Sequence, residues 1–215
     1  TKFKIGSLDK KSKYGRRFDH QKTLGEINIP KLCDLLELTS NNFSEYLIIN
    51  LEIKSTPVEK NLTPPPNVMA RLIVDEVNKT ELKYKVIYSS FDWRVLKEIK
   101  NIDPKISRAY LTSDLKGIVN NKSPWLDFIP LYDSDSRELP RLIKALGGKA
   151  WHPKSKDINK DIVKISHEEG LAVNVWTVNE KHEMFKMIEY GVDGIITDYP
   201  LRLKKLCEDE GINWF

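Results

Sequence analysis

From Tyr46 onward the chain alternates short apolar runs with longer amphipathic stretches, separated by turn residues. The apolar runs are rich in Val and Ile and about four to eight residues long, which is typical of buried strands. They predict six strands, at Tyr46–Ile53, Lys85–Ser90, Ile106–Leu111, Lys149–His152, Ala172–Thr177 and Asp193–Thr197. The amphipathic stretches predict helices at Asn67–Asn78, Asp92–Lys100, Ser136–Leu146, Ile158–Glu169, Glu180–Tyr190 and Leu201–Glu210. Asp157 and Asn179 are predicted helix N-caps, and Leu126–Leu131 is predicted to be extended.

The alternation of strands and helices predicts a parallel sheet that is covered by helices. Polar clusters follow the last two strands, and the carboxyl ends of parallel strands meet at one rim, where such folds place their active sites. A closed barrel of this type needs about eight strands, whereas the pattern supplies six. We therefore predict an α/β fold, a TIM-type (β/α)8 barrel truncated to about six of the eight strands. We expect one domain over residues 1–215, in which residues 1–30 form an irregular basic stretch.

Composition and charge narrow the classes of function. The 215 residues are 40% apolar and 31% charged, as in an ordinary globular protein, and the net charge is +4. Residues 1–22 hold eight Lys or Arg against two Asp, an excess of six, so the remainder carries −2. A local basic stretch of this kind indicates a solvated loop, and we expect no nucleic-acid partner. No apolar run approaches the roughly 20 residues of a membrane helix, so we expect no transmembrane segment. We expect a cytoplasmic location, because no secretory signal is visible and Cys33 and Cys207 are typical of unpaired thiols in a reducing compartment.

Two charged residues end the first predicted strand and share one of its faces. Side chains alternate along a strand, so Asn50, Glu52 and Lys54 face one side while Leu51 and Ile53 face the other. A carboxylate suits a hard divalent cation, and an ammonium group suits a phosphate oxygen. The pattern therefore indicates a metal and phosphate site at the rim. The alternative is a simple surface ion pair between Glu52 and Lys54.

Four segments together resemble one enzyme family in their amino-acid sequences, their order and their spacing. They read LIINLEIK at 47–54, VIYSSFDWRVLKEIK at 86–100, VNVWTVNE at 173–180 and YGVDGIITDYP at 190–200. The chain resembles the glycerophosphodiester phosphodiesterases from about Ile29 to Leu206. The resemblance implies a TIM-type barrel that hydrolyses glycerophosphodiesters to glycerol 3-phosphate and an alcohol with a divalent cation, Ca²⁺ or Mg²⁺.

The resemblance also implies roles for individual residues. Glu52 matches a metal ligand, and Lys54 matches a residue that contacts the substrate phosphate. Trp176 and Phe91 match an aromatic wall against the glycerol group, although Trp176 as plain core is an alternative. Asp198, with Thr197 beside it, is expected to fix the last loop by hydrogen bonds and to cap the helix that follows.

The catalytic histidines that the resemblance implies are missing, because the chain lacks the family motifs that carry them. The family uses a His pair as general acid and base, carried by His-Arg-Gly and by Glu-x-Asp followed by His-Asp. None of these motifs occurs before Ile29, and in the Phe-Asp-His at His20 the order is reversed. His167 and His182 are expected on the surface, and His152 is expected to reach the rim. We therefore identify no catalytic residue and expect the chain to be inactive unless an upstream segment completes the barrel.

Two other functions stay open from the sequence. One is a non-catalytic remnant of the family that still binds a phosphate through Lys54. The other is an aldolase on the same barrel type with Lys54 as Schiff-base nucleophile. Glu52 disfavours the aldolase because a neighbouring carboxylate holds the amine protonated, and borohydride trapping with a carbonyl substrate would detect it.

Overall fold

The computed structural model describes residues 4–6, 8–18, 21–22, 24–25, 27–41, 46–59, 61–113, 123–127, 129 and 137–213. Internal contacts divide the chain into two units, Thr1–Phe43 and Ser44–Phe215, and the expected single domain stays a prediction. In the first unit, strand β1 (Lys4–Ile5) pairs antiparallel with β2 (Ile27–Asn28), and helix α1 (Leu32–Asn41) buries Leu36. The sequence pattern did not predict this strand pair, because two-residue strands have no periodicity to detect.

Over the residues that the structure describes, the second unit contains six parallel strands that pair in chain order. They are β3 (Ile49–Glu52), β4 (Val86–Ser90), β5 (Arg108–Thr112), β6 (Ala150–Pro153), β7 (Ala172–Val175) and β8 (Gly194–Ile195). The helices are α2 (Pro66–Asn78), α3 (Trp93–Ile102), α4 (Glu138–Ala145), α5 (Lys160–Glu168), α6 (Lys181–Tyr190) and α7 (Pro200–Asp209). The predicted six-stranded parallel sheet is therefore confirmed. Within the described ranges, no helix combines the length and apolar character of a membrane span.

The strand register determines which side chains face the inside of the sheet. Tyr110 of β5 packs edge-on against Trp93 of α3 with ring centroids 4.9 Å apart, so Tyr110 faces the helices. Leu111 is the next residue and faces the opposite, inner side. His152 of β6 pairs in register with Leu111, and therefore also faces inward.

The sheet curls so that its first and last strands face one cavity. Strands β3 and β8 lie at opposite ends of the strand order. Nevertheless Asn50 and Glu52 of β3 line the same cavity as Ile196, which follows β8. This curvature is that of part of a barrel. The edge strand β3 begins at Ile49 and is shorter than predicted, and Tyr46 and Ile48, each 66% exposed, lie before it.

Several predicted element ends are wrong. Helix α5 begins after Asn159, whose side chain accepts a hydrogen bond from Ile162 N at 3.0 Å, so Asn159 and not Asp157 is the N-cap. The segment predicted to be extended starts at Leu126. Leu126 is instead the last residue of a short 3-10 helix, Pro124–Leu126, and the next residue, Asp127, has a left-handed backbone conformation. Its positions 128, 130 and 131 lie outside the described residues, as does Ser136, the predicted start of α4.

Asn179 connects the last two loops instead of capping α6. The N-cap position of α6 is Glu180, and that of α7 is Tyr199, so the predicted caps Asn179 and Asp198 are both wrong. Asn179 Nδ2 donates to Asp198 Oδ2 at 2.8 Å, and Asn179 Oδ1 accepts from Thr197 Oγ1 and Asp198 N at 3.1 and 3.0 Å. The prediction that Thr197 and Asp198 fix the last loop by hydrogen bonds is confirmed.

Candidate active site

The four residues predicted for the site line two adjoining cavities at the carboxyl ends of the strands. Glu52, Lys54, Phe91 and Trp176 belong to both cavities, whose volumes are about 300 and about 260 Å³. We call the larger cavity the aromatic lobe, which is completed by Ile53, Ser55, Ser113 and Trp125. The smaller one is the lumen lobe, which is completed by Asn50, Ser89, Leu111, Thr177 and Ile196.

Glu52 and Lys54 form the charged border between the two lobes. Burial alternates along β3, as the sequence predicts, with Glu52 on the exposed side. The Lys54 Nζ lies 3.6 Å from Glu52 Oε2, with side-chain exposures of 81% and 35%. The ion pair that the sequence left as an alternative therefore exists, and such an exposed pair contributes little to stability. Its position beside both cavities leaves the Lys54 ammonium group accessible to an anionic ligand.

A buried hydrogen-bond network fixes the backbone on both sides of Lys54. Ser90 Oγ donates to the carbonyl oxygen of Ile53 at 2.7 Å, and Ser55 Oγ donates to Asp92 Oδ2 at 2.8 Å. Asp92 is fully buried, caps α3, and accepts two further hydrogen bonds from Arg94 Nε and Nη2 at 2.9 and 2.8 Å. We call Ser55, Asp92 and Arg94 the Asp92 network. Sequence reasoning did not find its link to the site; the only signal was an Asp directly before a helix.

Trp176 and Phe91 meet at the border of the lobes, as two perpendicular walls. Their ring centroids are 5.3 Å apart at an interplanar angle of 89°. The Trp176 indole Nε1 donates to the carbonyl oxygen of His152 at 2.9 Å, and Trp176 N donates to Pro153 O at 3.2 Å. Strand β6 therefore holds Trp176 in place, while its half-buried ring lies on the surface of both cavities.

His152 lies below the rim and not at it, so its predicted position is wrong. Its side chain is fully buried on the inner face, where Asn174 Nδ2 donates to His152 Nε2 at 2.9 Å. Among the described residues, none is a hydrogen-bond partner of His152 Nδ1. Burial lowers the pKa of His152 from 6.5 to about 4, so the imidazole is neutral near pH 7.

The other histidines do not contribute to either lobe. His167 is 41% exposed and contacts Asp193 Oδ2 at 2.8 Å, and His182 is exposed, which confirms their predicted surface positions. His20 lies outside the described residues.

Glu52 is the only acidic, His or Cys side chain among the described residues that line the lobes. Over the described part of the chain, no three His, Cys, Asp or Glu residues cluster as metal ligands. A Ca²⁺ site takes six to eight oxygen ligands, whereas Mg²⁺ is held by as few as one or two carboxylates together with substrate phosphates and water. The single carboxylate of Glu52 among the described lining residues is therefore too few ligands for a Ca²⁺ site. It equals the minimum number of protein carboxylates with which Mg²⁺ is bound.

A curled parallel βα sheet with a ligand-sized cavity at its carboxyl rim defines a barrel protein with a small-molecule site. The comparisons with known proteins identify which barrel family this is. Residues 3–202 match the glycerophosphoryl diester phosphodiesterase family, and the chain belongs to that family.

Individual relatives agree with this assignment. A crystal structure assigned to the glycerophosphoryl diester phosphodiesterases, from Silicibacter pomeroyi, superimposes with a TM-score of 0.82 and 31% identity, over 99% of this chain and 67% of that one. The glycerophosphodiester phosphodiesterase of Caldanaerobacter subterraneus subsp. tengcongensis is 27% identical over 207 residues, 96% of this chain and 71% of the relative. The structure of an Oleispira antarctica phosphodiesterase in complex with the product sn-glycerol-3-phosphate shares the fold, with a TM-score of 0.62 and 19% identity over 90% of this chain and 65% of that one.

The chain thus spans about two thirds of the length of these relatives, by shares of 67%, 71% and 65%. The predicted family and the predicted TIM-type barrel truncated to about six strands are both confirmed.

Proposed function

We propose that this chain binds glycerophosphodiesters at its carboxyl rim and contributes to their metal-dependent hydrolysis to glycerol 3-phosphate and an alcohol. The observation that carries the proposal is the position of Lys54 beside Phe91 and Trp176, on the shared border of two ligand-sized cavities. Membership of the phosphodiesterase family supports it. The O. antarctica phosphodiesterase was solved with the same expected product.

Lys54 is the proposed phosphate-binding residue. Its side chain is 81% exposed and lines both cavities, so the ammonium group can reach a phosphate there. An ammonium group donates up to three hydrogen bonds and binds phosphate oxygens as a point charge. Phe91 and Trp176 then offer apolar ring surface to the carbon atoms of the glycerol group. These residues orient the substrate and exclude water from one side of the phosphate.

Glu52 is the proposed protein ligand of a divalent cation, Ca²⁺ or Mg²⁺. Its carboxylate lies at the border of both lobes and is 35% exposed, which leaves oxygen lone pairs available to an ion. The single described carboxylate suits Mg²⁺ better than Ca²⁺, since Mg²⁺ completes its shell with water and substrate phosphate. A bound cation would supply neutralisation of the phosphate charge.

Acid and base catalysis is the part of the reaction for which the described residues offer no candidate. Hydrolysis forms a bond between phosphorus and the oxygen of water, breaks the bond from phosphorus to the alcohol oxygen, and moves a proton to that oxygen. No described residue that lines either lobe is a histidine. The same observation favours the second candidate function, a non-catalytic phosphate-binding remnant of the family. We propose that the 215-residue chain binds the substrate but needs a segment beyond it for turnover.

Replacing Lys54 by alanine is expected to weaken sn-glycerol 3-phosphate binding about tenfold, because a charge-assisted hydrogen bond at an exposed site contributes about 1.4 kcal/mol. Isothermal titration calorimetry of the 215-residue chain measures the dissociation constant. Lys83→Ala is the matched control, since Lys83 lies in the 3-10 helix Glu81–Tyr84, at the opposite end of β4. Equal affinities of the Lys54→Ala variant and the unmodified chain would contradict the proposed role.

Release of glycerol 3-phosphate distinguishes the two candidate functions. The purified 215-residue chain is incubated with a glycerophosphodiester and Mg²⁺, and the product is measured by a coupled dehydrogenase assay. We expect binding without release from this chain alone. Release at the rate of a full-length relative would refute the proposed need for a further segment and exclude the remnant.

A further inference from the structure

The two lobes of the site offer different chemistry to a ligand. The residues particular to the lumen lobe include three polar side chains, Asn50, Ser89 and Thr177. Those particular to the aromatic lobe include Trp125 and Ile53, which add apolar surface to the shared rings of Phe91 and Trp176. A phosphate bound at Lys54 would therefore have a polar cavity on one side and a mainly aromatic cavity on the other.

We infer that the aromatic lobe is the subsite for the alcohol arm of the phosphodiester and that Trp125 determines which alcohol is accepted. The inference rests on the proposed function. A phosphodiester has two arms, and the residues shared by the lobes leave one cavity for each. Glycerol carries two free hydroxyl groups, which the exposed side chains of Asn50 and Thr177 in the lumen lobe can pair. The mainly apolar aromatic lobe would leave those hydroxyls unpaired.

The alcohol class that fits the aromatic lobe has a methylated, weakly hydrated head group, and a second polyol does not fit it. Methyl groups gain from contact with Trp125 and Ile53 in proportion to the apolar area removed from water. A quaternary ammonium group gains further from the faces of aromatic rings.

Binding of two probes to the 215-residue chain in EDTA tests the inference without relying on turnover. Glycerophosphocholine has both arms, whereas sn-glycerol 3-phosphate has only the glycerol arm. Trp125→Ala is expected to weaken glycerophosphocholine binding about 3- to 10-fold and sn-glycerol 3-phosphate binding less than about 2-fold. Thr177→Ala is expected to weaken both ligands by similar factors, because both contain glycerol.

Two further variants protect the test against a folding defect. Trp125→Phe keeps a ring in the lobe and is expected to retain most of the affinity for glycerophosphocholine. Tyr84→Ala is the aromatic control, because Tyr84 is 85% exposed and lies outside both lobes.

The outcomes separate the inference from the function on which it rests. If the unmodified chain binds both probes and Trp125→Ala changes both equally or neither, the subsite assignment is wrong and the proposed function stands. If the unmodified chain binds neither probe, either in EDTA or with Mg²⁺ added, the proposed function fails and the assignment fails with it. A diester with a second glycerol as its alcohol that binds more tightly than glycerophosphocholine would overturn the alcohol class.

Discussion

Replacing Asp92 by alanine is expected to lower the free energy of unfolding by about 3 kcal/mol. The Asp92 carboxylate is fully buried and accepts hydrogen bonds from Ser55 Oγ, from Nε and Nη2 of Arg94 and from Arg94 N. Removing it leaves a buried hydroxyl and an arginine without their acceptor, and α3 loses its N-cap. Arg94 is 29% exposed and can turn to water, so the loss falls at the low end of the range for breaking a buried ion pair.

Urea unfolding followed by circular dichroism measures this loss, and Asp92→Asn is the matched control. Asparagine keeps an oxygen acceptor for Ser55 and for the helix terminus, but not the charge that Arg94 requires. We expect Asp92→Asn to lose about half as much stability as Asp92→Ala. A change below about 1 kcal/mol for Asp92→Ala would mean that the Asp92 network does not connect the loop after β3 to the loop after β4 in solution.

The fold was predictable because its pattern repeats. Each βα unit buries a short Val- and Ile-rich strand and ends it in turn residues, so the period of the sequence changes visibly at every boundary. Element ends were less predictable where two capping residues compete. Asp157 and Asn159 are both good caps, and the position of Ile162 N relative to Asn159 decides between them in the folded chain. The predicted cap at Asn179 is wrong for a related reason. The side-chain amide of Asn179 hydrogen-bonds to Asp198 in the loop after β8 instead of to the first turn of α6.

The candidate site was predictable only where it depends on local spacing. The two-residue spacing of Glu52 and Lys54 puts both side chains on one face whatever surrounds them. Trp125 and Ser113 could not be found in this way, because Ser113 follows β5 and Trp125 lies in the 3-10 helix Pro124–Leu126, and no local spacing relates either residue to Glu52 or Lys54. The burial of His152 depends on the register of β6 with its neighbours, which the sequence of a single strand does not contain.

His152 is expected to make the stability of the chain decrease as the pH falls from about 6.5 to about 4. In the unfolded chain this imidazole takes up a proton near its ordinary pKa of about 6.5. In the folded chain burial lowers the pKa to about 4, so the native state stays unprotonated through this interval. The unfolded state therefore binds more protons, and stability rises with pH. The contribution is fully present above pH 6.5 and falls by about 3 kcal/mol once both states are protonated.

His152→Gln isolates this contribution from the other titrating groups. Glutamine does not titrate, and its side-chain oxygen can still accept the hydrogen bond from Asn174 Nδ2. Urea unfolding of both proteins at pH 7 and pH 5 gives the loss of stability in each, and we expect the unmodified chain to lose about 2 kcal/mol more than the variant. The exposed His167 and His182 are present in both proteins, so their effects cancel. Equal losses would mean that water or polar groups of a rearranged inner face solvate His152. The inner face of the sheet below Trp176 would then be accessible to solvent.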